Sequence, residues 1–145
     1  MGTGRQLLAA LSLGADGMLM GTRMTVASEI WADEKFKKHI TEIDQSGTRI
    51  VMSIFNDNSR VLDNETARAV SALEADGVTD FERYRPLVQG SNQREAYESG
   101  DWELGTPSVG QSCAFADEIK SVEAIFDDIL ADATCHRDRL AGLAV

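Results

Sequence analysis

Two glycine-containing segments near the start of the sequence could bind a phosphate group. Gly2 and Gly4 precede a run of helix-forming residues, and Gly21 and Thr22 follow a short apolar stretch. Glycine lets the main chain approach a ligand closely, and main-chain amides exposed between elements can hold an anion. The same glycines could serve only to make turns. The spacing therefore predicts a candidate phosphate site and leaves the turn explanation open.

No side chain shows the sequence pattern of a catalytic acid, base or nucleophile. His39 belongs to a charged segment and His136 to the C-terminal tail, so we expect both at the surface. Ser108 has no histidine and acid placed near it, as a nucleophile would need. We therefore assign no catalytic residue within this chain.

The sequence also gives no reason to expect a metal ion. Cys113 and Cys135 are far apart and form no CxxC pair, and Cys135 with His136 supplies only two ligands. The adjacent acids Asp127 and Asp128 fit the solvated face of an amphipathic helix. Free thiols and no metal site are the prediction.

A helix and a strand should position the candidate phosphate residues. Residues 5–13 are rich in strong helix formers, and Gly14 lies where a helix-ending glycine is expected. Residues 16–21 form a short apolar run bounded by glycines, which predicts a buried strand of a parallel sheet covered by helices. Such a strand needs hydrogen-bonded neighbours, and the rest of the sequence predicts no second buried strand.

The remaining sequence is predicted to be mainly helical. Apolar spacing and capping residues predict helices over about 28–44, 64–76, 79–86 and 118–133. Residues 48–55 are rich in apolar and β-branched side chains and could be extended or helical. Residues 90–111 contain several glycines and are predicted to be irregular, apart from a helical turn near 93–99.

Charge excludes several classes of partner. The chain has 14 Lys+Arg and 24 Asp+Glu residues, a net charge of −10, so nothing attracts it to nucleic acid or to an anionic membrane surface. Its uncharged apolar stretches are far shorter than the roughly 20 residues of a membrane helix, and no signal-peptide pattern is present. We expect a cytoplasmic globular chain with neither nucleic acid nor membrane as a partner.

The first 24 residues, MGTGRQLLAALSLGADGMLMGTRM, resemble the late-barrel motif of the nitronate monooxygenase family, also called 2-nitropropane dioxygenases. Three later segments resemble the family in the same order: Asn58-Ser59-Arg60-Val61, Tyr97-Glu98-Ser99-Gly100-Asp101 and Ser108-Val109-Gly110-Gln111. Members are FMN-dependent oxidoreductases that oxidise alkyl nitronates to a carbonyl compound and nitrite. The resemblance implies an α/β fold, the C-terminal fragment of an FMN-binding (β/α)8 TIM barrel, with FMN as cofactor and a small nitronate as substrate.

The resemblance also implies which residues contact FMN. They are Gly2, Gly4, Leu19, Met20, Gly21 and Thr22 around the phosphate, and Gln111 at the edge of the flavin. Leu19 stands where the family usually has Asn or Gln, which removes a side-chain hydrogen bond but leaves the main-chain contacts. The Gly-Gly pair and the strand that precede Gly2 in the family, and the family's catalytic histidine, have no counterpart here.

By this resemblance the chain has three parts. Residues 1–27 are the late-barrel helix, strand and phosphate loop, residues 28–117 are a helical and loop insertion, and residues 118–145 are a C-terminal helix and tail. Such a truncated chain is expected to be inactive alone, with a homo-oligomer or partner chain covering its apolar faces. The alternatives are a non-enzymatic helical fragment, a complementing subunit, or a relative of the flavin enoyl reductases.

Overall fold

The computed structural model describes residues 1–143. Within that range the chain has seven α-helices, two β-strands and four short 3-10 turns. The helices are α1 Gly4–Ser12, α2 Thr22–Thr25, α3 Glu34–Glu42, α4 Glu65–Ala75, α5 Arg85–Val88, α6 Gly90–Ser99 and α7 Val122–Ala141, and the strands are β1 Thr48–Val51 and β2 Ser59–Leu62. None of these helices is long and apolar enough to cross a membrane.

Helices α1 and α7 pack side by side and hold the N-terminal segment in place. The Thr3 hydroxyl accepts a hydrogen bond from the Gln6 main-chain N–H, and the Gln6 side-chain oxygen accepts one from the Thr3 main-chain N–H. These two bonds form a capping box. A Cβ added to Gly4 would lie only 2.1 Å from the carbonyl oxygen of Ile129. Glycine at this position therefore allows the two helices to approach at the distance observed.

The prediction of a buried strand at residues 16–21 is wrong. Within residues 1–143 this segment pairs with no strand, and Leu19 is 96% exposed. Met18 and Met20 pack against the cluster that contains Ile129, so one side of the segment is covered and the other is open. A parallel strand needs hydrogen-bonded neighbours at its edges, and the described part of the chain places none there.

The two strands form an antiparallel hairpin that the sequence pattern left undecided. In this hairpin Val51 lies opposite Ser59. After Val51 the chain leaves the ladder, because Met52 adopts a left-handed conformation with φ of 66° and a 3-10 turn follows at Ser53–Phe55. The segment 48–55 is therefore a strand followed by a helical turn. This explains why neither the alternation of a strand nor the spacing of a helix fits the whole segment.

Two helices differ from the predicted boundaries. Helix α3 begins at Glu34 with Asp33 as its N-cap, several residues after the helix start predicted near residue 28. Residues 90–99, for which only a helical turn near 93–99 was predicted, form the complete helix α6, which ends at Gly100 with φ of 78°. Both helices lie in the region predicted as a helical and loop insertion.

A buried cluster around α3 fixes the 3-10 turn Gln111–Phe115, called here the 111–115 turn. Phe36 and Ile40 are fully buried and pack with Val109 and Cys113 in this cluster. Burial of such side chains contributes roughly 1.5–3 kcal/mol each. The core thereby places the 111–115 turn beside the start of α2.

Candidate functional site

The start of α2 presents three main-chain amides without a protein acceptor. Within residues 1–143, the N–H groups of Gly21, Thr22 and Arg23 donate to no main-chain or side-chain acceptor. A Cβ added to Gly21 would meet nothing within 4 Å, so the space beside Gly21 is open. Adjacent main-chain donors without a protein acceptor can bind the oxygens of a phosphate group.

Thr22 ties these amides to the 111–115 turn. Its hydroxyl accepts a hydrogen bond of 2.8 Å from the main-chain N–H of Gly110, and its side chain is almost fully buried. A Cβ on Gly110 would lie 3.3 Å from the Thr22 Oγ1 atom, a tight contact. The bond places Gly110, the residue before Gln111, beside the start of α2.

Arg23 connects Gly2 to α2. Its guanidinium donates to the carbonyl oxygen of Gly2, while its other nitrogen lies 3.8 Å from Asp128 on α7. The Gly2 N–H donates to the Gln6 side-chain oxygen at 2.7 Å, and that oxygen also accepts from Thr3. The amides of Gly2 and Thr3 are therefore already engaged, and the open donors lie at Gly21–Arg23.

Gln111 lines a depression of about 400 Å³, called here the Gln111 depression, next to the junction where Thr22 contacts the 111–115 turn. Among its lining residues are Met1, Gln6, Gln45, Gln111, Ser112 and Phe115. The depression adjoins Gly2, because a Cβ on Gly2 would lie 2.9 Å from the Phe115 ring. Gly2, Thr22 and Gln111, separated in sequence, thus meet around the 111–115 turn.

The other residues that the sequence assigned to the cofactor lie elsewhere. Gly4 packs against α7, and Leu19 points into solvent at 96% exposure. Met20 and Gly21 line a second, mainly apolar depression of about 280 Å³, together with Trp31 among others. Gly21 therefore borders both the open amides and this second depression.

Neither histidine lies at the junction of Thr22 and the 111–115 turn. His39 stacks on Trp102 with 4.3 Å between ring centroids, and burial lowers the pKa of its imidazole. His136 lies on α7, where its Nε2 atom is 3.2 Å from Asp132. In the described part of the chain, no three His, Cys, Asp or Glu side chains are grouped to hold a metal ion.

Three residues of this junction were not identified from the sequence: Arg23, Gly110 and Gln45. Arg23 directly follows Gly21-Thr22, so its position offered a signal. The contact of Gly110 with Thr22 spans 88 residues and depends on the packing of α3. No local pattern could have indicated that pairing.

Comparison with known proteins identifies the family. Residues 1–132 match the family described as nitronate monooxygenase. The chain belongs to the nitronate monooxygenase family. The family and its solved neighbours are flavin-dependent enzymes, which points to a flavin as the cofactor.

Three relatives show how much of the nitronate monooxygenase fold this chain contains. The nitronate monooxygenase of Neurospora crassa is 35% identical over 106 residues, which cover 68% of this chain and 26% of that protein. FabK from Thermotoga maritima superposes with a TM-score of 0.87 at 30% identity, over 98% of this chain and 44% of FabK. A nitroalkane oxidase from Streptomyces ansochromogenes superposes with a TM-score of 0.66 at 22% identity, over 97% of this chain and 39% of its own, which shows a shared fold.

FabK and the nitroalkane oxidase are TIM-barrel proteins, so the chain has the fold of part of such a barrel. It spans less than half the length of each of the three relatives. The prediction of the family and of the fold class is confirmed.

Proposed function

We propose that this chain forms the phosphate-binding part of an FMN-dependent nitronate monooxygenase. The reaction is the oxidation of an alkyl nitronate by oxygen to a carbonyl compound and nitrite. The observation that carries the proposal is the row of three open main-chain donors at Gly21–Arg23 in a chain of this family. The glycine at its start leaves room for a phosphate group to approach.

Each residue at the junction has a role in this proposal. The amides of Gly21, Thr22 and Arg23 bind the phosphate of FMN, and Met20 and Leu19 contribute main-chain contacts. The Thr22 hydroxyl fixes Gly110, so that Gln111 lies at the edge of the flavin. Gly2 holds the start of α2 in place, because its carbonyl oxygen accepts a hydrogen bond from Arg23. Gly4 supports this arrangement by letting α1 lie close to α7. When bound, the flavin supplies the redox chemistry.

The proton-abstracting base of the reaction comes from outside this chain. His39 and His136 are engaged with Trp102 and Asp132, away from Gln111. The chain spans 26% of the Neurospora relative, so a longer polypeptide or a partner chain has room to supply the base. We therefore propose that the chain alone binds flavin and that turnover requires the complementing part.

The partner would cover the apolar surface around residues 16–21. Leu13 is 89% and Leu19 96% exposed, while Leu130 on α7 is 55% exposed. Large exposed leucines near an unpaired segment are typical of an interaction surface. The occupant is a complementing chain or a second copy of this one, in the cytoplasm. The small-molecule partners are FMN, the nitronate and oxygen.

Flavin titration tests the proposal. The fluorescence of FMN should fall saturably as it binds to the purified chain. The melting midpoint of the chain should rise, because a ligand that binds only the folded state stabilises it by about 2.7 kcal/mol at one hundred times its Kd. A melting curve that does not respond to FMN would refute the proposal and favour a non-enzymatic helical fragment.

Flavin-dependent enoyl reduction is the second candidate activity within the same fold. The similarity to FabK reaches a TM-score of 0.87, whereas the family match and the Neurospora relative both favour nitronate oxidation. The complemented protein would be assayed with propane-1-nitronate for nitrite release and with an enoyl thioester for oxidation of reduced nicotinamide. Nitrite without nicotinamide oxidation is the expected result.

A further inference from the structure

Gln45 faces the Gln111 depression from a different part of the chain. It begins the 3-10 turn Gln45–Gly47, which follows α3, and its side chain is exposed. The two turns are tied together because the Cys113 thiol donates a hydrogen bond of 3.2 Å to the carbonyl oxygen of Asp44. This bond joins the residue before Gln45 to the 111–115 turn, so the main chain at Gln45 is held beside that turn.

The side-chain amides of Gln45 and Gln111 have unused hydrogen-bonding capacity. Among the hydrogen bonds of residues 1–143, neither amide has a protein partner. The third glutamine of the depression, Gln6, is held through its Oε1 atom, which accepts from the amides of Gly2 and Thr3. Gln45 and Gln111 are therefore the glutamines whose side-chain amides are free at both the oxygen and the nitrogen to meet a ligand in this depression.

The Gln111 depression tolerates an anion although the chain is acidic. No Asp or Glu is among its lining residues, whereas the whole sequence contains 24. The nearest acid in sequence, Asp44, turns its carboxylate to its own turn, where it accepts from the N–H and hydroxyl of Ser46 at 2.7 and 2.5 Å. Neutral donors aimed at an anion form charge-assisted hydrogen bonds without a buried counter-charge.

We propose that Gln45 is a substrate-binding residue, whose amide N–H groups donate to an oxygen of the nitronate group. The inference rests on the proposed nitronate chemistry and deepens it. A nitronate carries its negative charge on two oxygens, which suits amide donors. The Phe115 ring and Ala114 offer apolar surface to the alkyl chain. Because Gln111 bounds the same depression, a nitronate held by Gln45 lies beside the proposed flavin edge.

The test measures binding of butane-1-nitronate to the flavin-free chain by calorimetry. The wild-type chain should bind it saturably, and Gln45→Met, which keeps the length but loses the amide, should bind about tenfold more weakly. Gln45→Glu should bind more weakly still, because it places a second negative charge opposite the ligand. The matched control is Gln89→Met, since Gln89 is exposed and, among residues 1–143, its side chain bonds only to the Asn92 side chain, at 3.0 Å.

Circular dichroism confirms that each variant is folded before it is titrated. Equal nitronate affinity in the wild type and Gln45→Met, or no binding to the wild type, would overturn the role of Gln45. Flavin titration of the same samples separates this inference from the proposed function. Loss of nitronate binding with FMN binding intact implicates Gln45 alone, whereas a wild-type chain that fails to bind FMN refutes the proposed function.

Discussion

Replacing Gly4 by alanine should destabilise the chain markedly, although alanine is the better helix former. A Cβ at this position would lie 2.1 Å from the Ile129 oxygen and 2.2 Å from the Ala133 nitrogen, both main-chain atoms of α7. An ordinary contact begins near 3.4 Å, so α1 and α7 would have to separate by about 1.3 Å, the difference between 3.4 and 2.1 Å. Rigid main chain on both sides leaves no side chain that could yield instead.

The separation would loosen the packing of Leu7 against the buried Ile129. Overpacking of this kind costs roughly 1–3 kcal/mol, and we expect about 2–3 kcal/mol for Gly4→Ala because the obstruction is main chain. For a chain of this size that corresponds to a fall in melting midpoint of about 8 °C. Urea unfolding followed by circular dichroism measures the loss directly.

Gly90→Ala is the matched control. Gly90 is the first residue of α6, as Gly4 is of α1, but a Cβ on Gly90 would meet nothing within 4 Å. The control should change the free energy of unfolding by less than about 1 kcal/mol, with stabilisation as the favoured sign. If Gly4→Ala behaved like this control, the close approach of α1 and α7 would be disproved.

Two further substitutions test the packing and the charges around α4. Asn64→Ala should lower the free energy of unfolding by about 2–3 kcal/mol. The buried Asn64 side chain accepts from the Ala67 N–H at 2.8 Å, which caps α4, and donates to the carbonyl oxygens of Trp102 and Gly105. Urea unfolding measures this loss, and a change under about 0.5 kcal/mol would contradict the cap. The hydrogen bonds and charge of Arg49 lower the pKa of Asp63 below 3.8. This carboxylate therefore stabilises the fold when the pH is above the pKa of Asp63 in the unfolded chain, and it loses that effect as the pH falls through the lowered pKa of the folded chain. Asp63→Asn should therefore be less stable by about 1 kcal/mol at neutral pH and should converge with the wild type as the pH falls through the lowered pKa of Asp63, whereas a difference that stays constant with pH would argue against the ion pair.

The sequence predicted the helices that depend on local signals. The helix at residues 5–13 is α1, shifted by one residue, and Gly14 adopts φ of 93° as an ending glycine should. The sequence left Asp63 and Asn64 as alternative caps for the helix near 64–76, and Asn64 caps α4. These signals lie within a few residues of the element they define, and therefore they can be read from the chain.

The features that depend on distant contacts could not be predicted in this way. Residues 16–21 have the apolar composition of a buried strand, but strand formation needs neighbours that composition does not supply. At the candidate site, the contact of Thr22 with Gly110 depends on the core around Phe36. Gly2 and Gly4 resemble one another in sequence, yet one borders the Gln111 depression and the other packs against α7.

The most direct test of the account compares FMN with riboflavin, which lacks the phosphate. The wild-type chain should bind FMN at least tenfold more tightly, because the phosphate engages the amides of Gly21–Arg23. Gly21→Asp places a negative charge beside those amides in open space and should abolish the difference, whereas Gly17→Asp, also in open space, should preserve it. Equal affinity of the wild type for both flavins, or a preference for FMN that survives Gly21→Asp, would contradict a phosphate site at the start of α2.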